Sequence, residues 1–404
     1  MTSAHMDPDT QQTVQVAVAA AVEEIGATAW EACANPSGIS YNPFIAYDFL
    51  RALEASGSVG RKTGWAPQHL VVRGDDGGVL GVCPCYLKSH SRGEYVFDAG
   101  WADAYERAGG DYYPKLQVSV PFTPATGRRL LAAPGPQEAV VEAALAQALV
   151  ELTRLRQASS AHVTFLPQAQ WELLGRRGFL QRTDQQFHWD NAGYTDFDAF
   201  LTELASRKRK VLKRERRDAL AAGIDIVWLT GSDLTEAVWD AFFAFYQETG
   251  SRKWGRPYLT RTFFSLVGER MADRILLVMA RRAGRFIAGA LNFIGGDTLF
   301  GRHWGAIEHH PFLHFELCYY QAIDFAIARG LRRVEAGAQG EHKIARGYLP
   351  STTYSAHYIA DPSLRRAIAD YLQRERAYVT SAAEELTTCS PFRHADAESL
   401  DQDA

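Results

Sequence analysis

Cysteine is scarce and poorly spaced for structural work. Five occur in 404 residues: Cys33, Cys83, Cys85, Cys318 and Cys389. The number is odd and the one close pair is Cys83-Pro84-Cys85, which gives neither a disulfide framework nor a zinc-ligand spacing. Reduced thiols and a cytoplasmic location are expected. No apolar run approaches the ~20 residues that span a bilayer, so no membrane span is expected. The stretch Val14–Ile25 contains Glu23 and Glu24, and no basic segment precedes it. It reads as a helix continuing to Cys33 and not as a signal peptide. Excess positive charge is also missing: 43 Lys and Arg stand against 47 Asp and Glu, a net charge of −4. That excludes a globally basic nucleic-acid binder but leaves room for a local basic patch. His303, His309, His310, His314 and His342 lack helical i,i+4 pairing with a third ligand in reach, apart from a loose His310/His314, so no metal site is expected.

What the chain does have is ample material for a core, with 47% hydrophobic and 22% charged residues. Its length exceeds the roughly 100–200 residues of one domain, so two domains are the natural reading. Asn42-Pro43 opens a helix to about Ala55. His69–Arg73 and Val79–Lys88 read as a hairpin across a Gly-rich turn, with further strands at Glu94–Asp98, Lys115–Val120, His162–Leu166 and Gln185–Trp189. Long helices are predicted over Gln137–Gln157, Thr195–Ala222 and Phe312–Arg329, and Ser232 is the predicted cap of another. Strands at Ile275–Arg281, Phe286–Ile294, Thr298–Trp304, Arg333–Glu335 and Tyr354–Ala360 complete the second half. The order of strands and helices recurs in both halves, and the two hairpins lie about half the chain apart. The reading is a tandem duplication of an α/β unit with mixed sheets: residues 12–190, residues 191–385, and a disordered tail over 386–404.

Three segments carry chemistry. In Arg207-Lys208-Arg209-Lys210-Val211-Leu212-Lys213-Arg214-Glu215-Arg216-Arg217, helical periodicity puts Lys208 and Glu215 on the apolar face with Leu201, Leu204 and Leu212. The other seven basic residues spread over the exposed side, as either a solvated surface or a polyanion contact. An ammonium on an apolar face needs a partner, so Lys208 is expected to meet a buried carboxylate or a bound phosphate. The second segment, Gly337-Ala338-Gln339-Gly340-Glu341-His342-Lys343-Ile344-Ala345-Arg346-Gly347-Tyr348, follows a strand. Glycines allow close backbone approach, and titratable groups crowd the loop. His342 or Glu341 could serve as general base, and Lys343 and Arg346 could hold an anion. The third is the helix Phe312–Arg329, where Glu316 and Tyr320 share a buried face. A buried carboxylate must be paired or protonated, for structure or for function. Arg302-His303-Trp304 closes a strand beside it, and His303 could equally be a satisfied core histidine. In the first half, Tyr112 and Lys115 lie in aromatic-rich loops suited either to substrate or to a domain interface.

Asn42-Pro43-Phe44, Gly64-Trp65-Ala66-Pro67-Gln68-His69 and Tyr112-Tyr113-Pro114-Lys115-Leu116-Gln117 resemble segments of the FemAB-like, peptidoglycan biosynthesis-like branch of the Gcn5-related acyltransferase superfamily. So do the basic helix, His314-Phe315-Glu316-Leu317-Cys318-Tyr319-Tyr320-Gln321, Glu335–Lys343 and Tyr354-Ser355-Ala356-His357. The resemblance covers about Asn42 to Ala360. It implies tandem acyltransferase-like domains that move an acyl or aminoacyl group onto a small-molecule amine. The implied donor is aminoacyl-tRNA or acyl-CoA, with no tightly bound cofactor. Acyl-CoA users carry a Gly-rich phosphate loop after the third close strand. Here that segment is Trp304-Gly305-Ala306-Ile307-Glu308-His309-His310-Pro311-Phe312, which favours aminoacyl-tRNA, with tRNA phosphates meeting the basic helix. The alternatives are an acyl-CoA-dependent N-acetyltransferase and a non-catalytic RNA- or polyanion-binding protein. Donor and acceptor are expected to meet between the halves, near Lys208, Glu316, Tyr320 and the Gln339–Arg346 loop.

Overall fold

A computed structural model describes residues 14–254, 257–337 and 340–393. Its strands, in chain order, are β1 (Gln15–Ala19), β2 (Trp65–Pro67), β3 (His69–Arg73), β4 (Val79–Cys83), β5 (Cys85–Lys88), β6 (Lys115–Val118), β7 (Leu131–Ala132), β8 (Ser160–Leu166), β9 (Leu180–Asp190), β10 (Ile224–Leu229), β11 (Ile275–Arg282), β12 (Arg285–Ile294), β13 (Thr298–Ala306), β14 (Arg333–Glu335) and β15 (Leu349–Ile359). They form a four-stranded sheet, β1-β3-β4-β7, and an eleven-stranded sheet, β10-β11-β12-β13-β14-β9-β15-β8-β6-β5-β2. The expected mixed α/β architecture is what the chain adopts.

The first hairpin serves both sheets because it is bent. β3 pairs with β4 in the small sheet, and β2 pairs with β5 in the large one. The bend falls at Gln68 and Pro84, where the Gln68 amide still donates to the Cys85 carbonyl at 2.8 Å. Proline cannot donate to a ladder, so the strand changes sheets where it stands. The hairpin β11–β12 is the unbent counterpart in the second half. Each half then adds a third antiparallel strand, β6 or β13, and a parallel neighbour reached through a helix, β8 or β14.

The last strands are exchanged. β9, from the first half, pairs with β14 of the second, and β15, from the second half, pairs with β8 of the first. β9 and β15 also pair with each other at the centre, over Leu349–His357 and Leu180–His188. One sheet therefore runs through both halves, and the expected boundary at residues 190/191 separates sequence and not packing.

Several predicted elements differ. Val14–Cys33 is not one helix: β1 is followed by a 3₁₀ turn and a helix over Ala27–Ala34. Val14, Val16 and Val18 alternate with period two, which suits a strand at a sheet edge. Glu94–Asp98 is not a strand, because both carboxylates wrap the Lys115 ammonium. Thr195–Ala222 divides into Phe197–Thr202 and Ser206–Leu220, with Leu204 bridging to Phe392. Ser232 lies in a 3₁₀ turn, and the Thr235 hydroxyl accepts from the Val238 amide of the helix Glu236–Trp254. The tail expected to be disordered from residue 386 is ordered through Arg393. Its Phe392 packs on Phe200, and the Arg393 amide donates to the Glu203 carbonyl.

Candidate active site

The sequence folds into a fork. β13 pairs with β14 only over Thr298–Phe300, opposite Arg333–Glu335. Beyond Phe300, β13 runs on to Ala306 while the other chain turns away at Gly337, whose φ is 81°. Two irregularities open the gap. On β13, Arg302 is an extra residue between the pairs Asn292↔Gly301 and Leu291↔His303, a bulge that re-aims the side chains around it. Facing it, the predicted helix over Phe312–Arg329 is a helical turn at Leu313–Phe315, a π segment at Glu316–Tyr320 and an α-helix over Gln321–Ala328. Such π turns concentrate at functional sites.

Between these elements lies a cavity of about 110 Å³. Arg302, His303, Trp304, His314, Cys318 and Tyr319 line it together with Asn292 and Ala336. Burial, with Arg302 alongside, pulls the His303 imidazole down to about 3, so it is neutral at physiological pH. Burial raises the Tyr319 hydroxyl well above the usual phenol range and keeps it protonated. Tyr319 Oη lies 3.0 Å from Nε2 of His342, which faces solvent. A polar path therefore runs from the cavity wall to water.

The predicted loop residues divide. Glu341 and His342 are exposed, while Lys343, Arg346 and Tyr348 are buried. The Lys343 ammonium donates to the Gly337 carbonyl at 2.9 Å, and burial lowers it to about 8. Arg346 donates to the His342 carbonyl at 2.6 Å and to both Glu215 oxygens, and its guanidinium lies 3.5 Å over the Phe315 ring. Tyr348 donates to the Tyr319 carbonyl at 3.1 Å. Arg346 and Tyr348 thus fix the backbone of the two residues that make the polar path. Gln339 lies outside the described residues.

The basic helix is oriented differently from the reading of its pattern. Glu215 is buried, but its partners are Arg346 and the Tyr320 hydroxyl, not Lys208, which is half-buried. Arg216, expected on the exposed side, turns inward to Glu316 at 2.9 Å and to Asp324 at 2.5 Å. Glu316 is wholly buried and also accepts from Gln321 at 2.7 Å. It joins the π turn to the basic helix and does not line the cavity.

Tyr112 and Lys115 belong to a different cluster. Lys115 Nζ bonds Glu94 at 2.7 Å and also Asp98, and Tyr112 donates to Asp98 at 2.7 Å. His162 and His357 meet across the exchanged strands with Nδ1 atoms 2.7 Å apart. The first half has its own fork, between β6 and β8, but the chain fills it. There the Gly127 amide donates to the Phe165 carbonyl at 3.0 Å, and buried Arg129 donates to the carbonyls of Thr164, Ala125, Gly127 and Arg128. Among the described residues no helix is long and apolar enough to cross a membrane, and no group of His, Cys, Asp and Glu could hold a metal ion.

Sequence reading missed Asn292, Tyr319 and Glu335. A signal existed for Asn292, a lone amide in the run Ala288–Ile294. Glu335 sits where β14 ends, buried, and burial raises its carboxyl to about 7.

Two mixed-sheet units, each with a parallel fork and one fork open, define an acyltransferase fold of the Gcn5-related kind in tandem. The sequence pattern of the FemAB-like family, described as peptidoglycan biosynthesis/recognition, matches residues 21–394, and the chain belongs to that family. No curated protein matches it. Among solved structures it is similar to the C-terminal domain of a putative lysylphosphatidylglycerol synthetase from Agrobacterium fabrum, with a TM-score of 0.52, 8% identity, and coverage of 86% of this chain and 96% of that one. It is also similar to L-PGS from Bacillus licheniformis, with a TM-score of 0.50, 10% identity, and coverage of 89% and 99%. A conserved protein from Bacteroides thetaiotaomicron gives 0.51, 10%, 86% and 100%. At these identities the likeness shows the fold.

Proposed function

We propose that the chain is an acyl- or aminoacyltransferase whose acceptor is a small-molecule amine, with transfer at the fork between β13 and β14. The observation that carries this is the cavity at the open fork, whose wall residue Tyr319 is hydrogen-bonded to solvent-facing His342. The β13 edge beyond Phe300 offers backbone donors and acceptors to an extended ligand, as a sheet edge does for an added strand. The amine nitrogen attacks the donor carbonyl, a C–N bond forms, and the ester or thioester bond breaks. The proton lost by the amine moves to Tyr319 as Tyr319 hands its own to His342, and the released tRNA hydroxyl or CoA thiol takes up a proton in turn, so that no net proton is left on the chain. Holding both reactants at the fork supplies a large part of the acceleration.

Aminoacyl-tRNA is the favoured donor, and acyl-CoA is the alternative. In the turn after β13, where a phosphate loop would stand, Glu308 occupies Arg282 at 2.8 Å and Arg285 at 3.4 Å, and it also lies 2.9 Å from His310. The outer face of the helix Ser206–Leu220 keeps Arg207, Lys210 and Arg214 exposed beside the π turn, which suits a polyanionic donor. The family description points to a cell-wall precursor as acceptor.

Alanine at His342 and phenylalanine at Tyr319 are expected to lower transfer by ~10²-fold or more, with the unfolding temperature of His342→Ala unchanged. Parental rates in both variants would remove the path from the mechanism. Thermal-shift measurements with aminoacyl-tRNA, acetyl-CoA and CoA settle the donor: stabilisation by CoA alone would assign a thioester.

A further inference from the structure

Arg302 is a half-buried cation that faces the open fork. Arg129 is fully buried, and four backbone carbonyls receive its guanidinium. Lys115 has two carboxylates, and Arg346 has Glu215. Arg302 forms no ion pair among the described residues. Its Nη2 donates to the Phe122 carbonyl, the Tyr95 hydroxyl is a hydrogen-bond partner, and Tyr246 and Glu335 lie close enough to act on its charge. A guanidinium carries five N–H donors, and this one lines the 110 Å³ cavity. The nearby carboxyl, Glu335, is held toward its neutral form by burial and has an unpartnered Oε2. No carboxylate lines the cavity, whose other polar groups are Asn292, His303, Trp304, His314, Cys318 and Tyr319. A partly desolvated guanidinium with no ion pair can take an incoming anion with two oxygens as a two-pronged, charge-assisted pair.

We infer that Arg302 receives the carboxylate of the acceptor, so that the amine acylated at the fork belongs to an amino acid or a short peptide end. The inference rests on the fork being the transfer site and adds the chemical class of the acceptor. The cavity is smaller than the ~150 Å³ void that holds benzene, which suits a group of alanine's size. Half of the wall is apolar, and one guanidinium provides a two-pronged site for a planar carboxylate rather than the many donors that a phosphate takes. A carboxylate on Arg302 would leave the amine of a small amino acid free to approach the Tyr319 side of the same cavity.

Calorimetric titration of the full chain with alanine, alaninamide and inorganic phosphate at constant ionic strength tests this. Alanine is expected to bind at least ten-fold more tightly than alaninamide or phosphate. Arg302→Gln should lose at least ten-fold in alanine affinity while its amide still donates to Phe122, and Arg302→Lys should regain part of the loss. His342→Ala should bind alanine as the parent does; transfer lost there with binding kept separates this inference from the proposed chemistry. Equal affinity for alanine and alaninamide, absent alanine binding, or tighter binding of phosphate each overturns it. Should Arg302→Gln fail to fold, the comparison of alanine with alaninamide on the parent chain decides.

Discussion

Glu335 and Lys343 flank the same loop, and burial pushes their protonation in opposite directions. Glu335 rises from 4.5 to about 7, so the folded chain keeps a proton that the unfolded chain has already released. The stability contributed by this group is full below the unfolded value and is lost as pH rises through about 7. Glu335→Gln cannot ionise. Its unfolding temperature is therefore expected to decline less than the parent's between about pH 5 and about pH 8, and parallel pH profiles would contradict the assignment. At this scale the sequence was partly legible. The acid–histidine–lysine–arginine loop stood out by composition. Tyr319 did not, because nothing local distinguishes a tyrosine on a cavity wall from one in the core. Lys208 is half-buried while Arg216 turns inward; helical periodicity places a residue on a face but cannot name what the neighbouring element presents to it.

At the scale of elements, the π turn and the bulge do the shaping, and neither has a simple sequence signature. Phe312–Arg329 is helical by pattern. The insertion at Glu316–Tyr320 follows from tertiary anchors, with Arg216 and Gln321 holding Glu316 and Glu215 receiving Tyr320. Arg216→Ala leaves the wholly buried Glu316 carboxylate without its cation and is expected to cost ~3–5 kcal/mol in chemical denaturation. Arg216→Met with Glu316→Leu should recover most of that stability while altering the fork. A loss below ~1 kcal/mol for the single variant would show that the pair does not anchor the turn. The strand β1 was missed for a different reason. Its alternating valines carry a period of two that is easily hidden within an apolar run long enough to read as a helix.

At the scale of the molecule, the duplication was legible and the exchange was not. The recurring order of strands and helices signals two related units. Which strand β9 or β15 pairs with depends on contacts far away in sequence. His188 opposite Glu335 and His357 opposite His162 are those contacts. Residues 12–190 alone would lose the β15 partner of β8, and residues 191–385 alone would lose the β9 partner of β14. Each half expressed separately is expected to aggregate through the bared edges, and the full chain should unfold in one transition by circular dichroism. Two well-separated transitions, or a folded, monomeric half, would contradict the shared sheet.

The most direct measurement is a crystal structure of the chain with an aminoacyl-adenosine analogue or an acyl-CoA analogue bound. The acyl end is expected in the fork, between Ala336 and the Arg302–Trp304 segment, with its carbonyl within reach of the Tyr319 hydroxyl. An acyl group bound instead at the Lys115 cluster, or on the outer surface with the fork empty, would contradict transfer at this place.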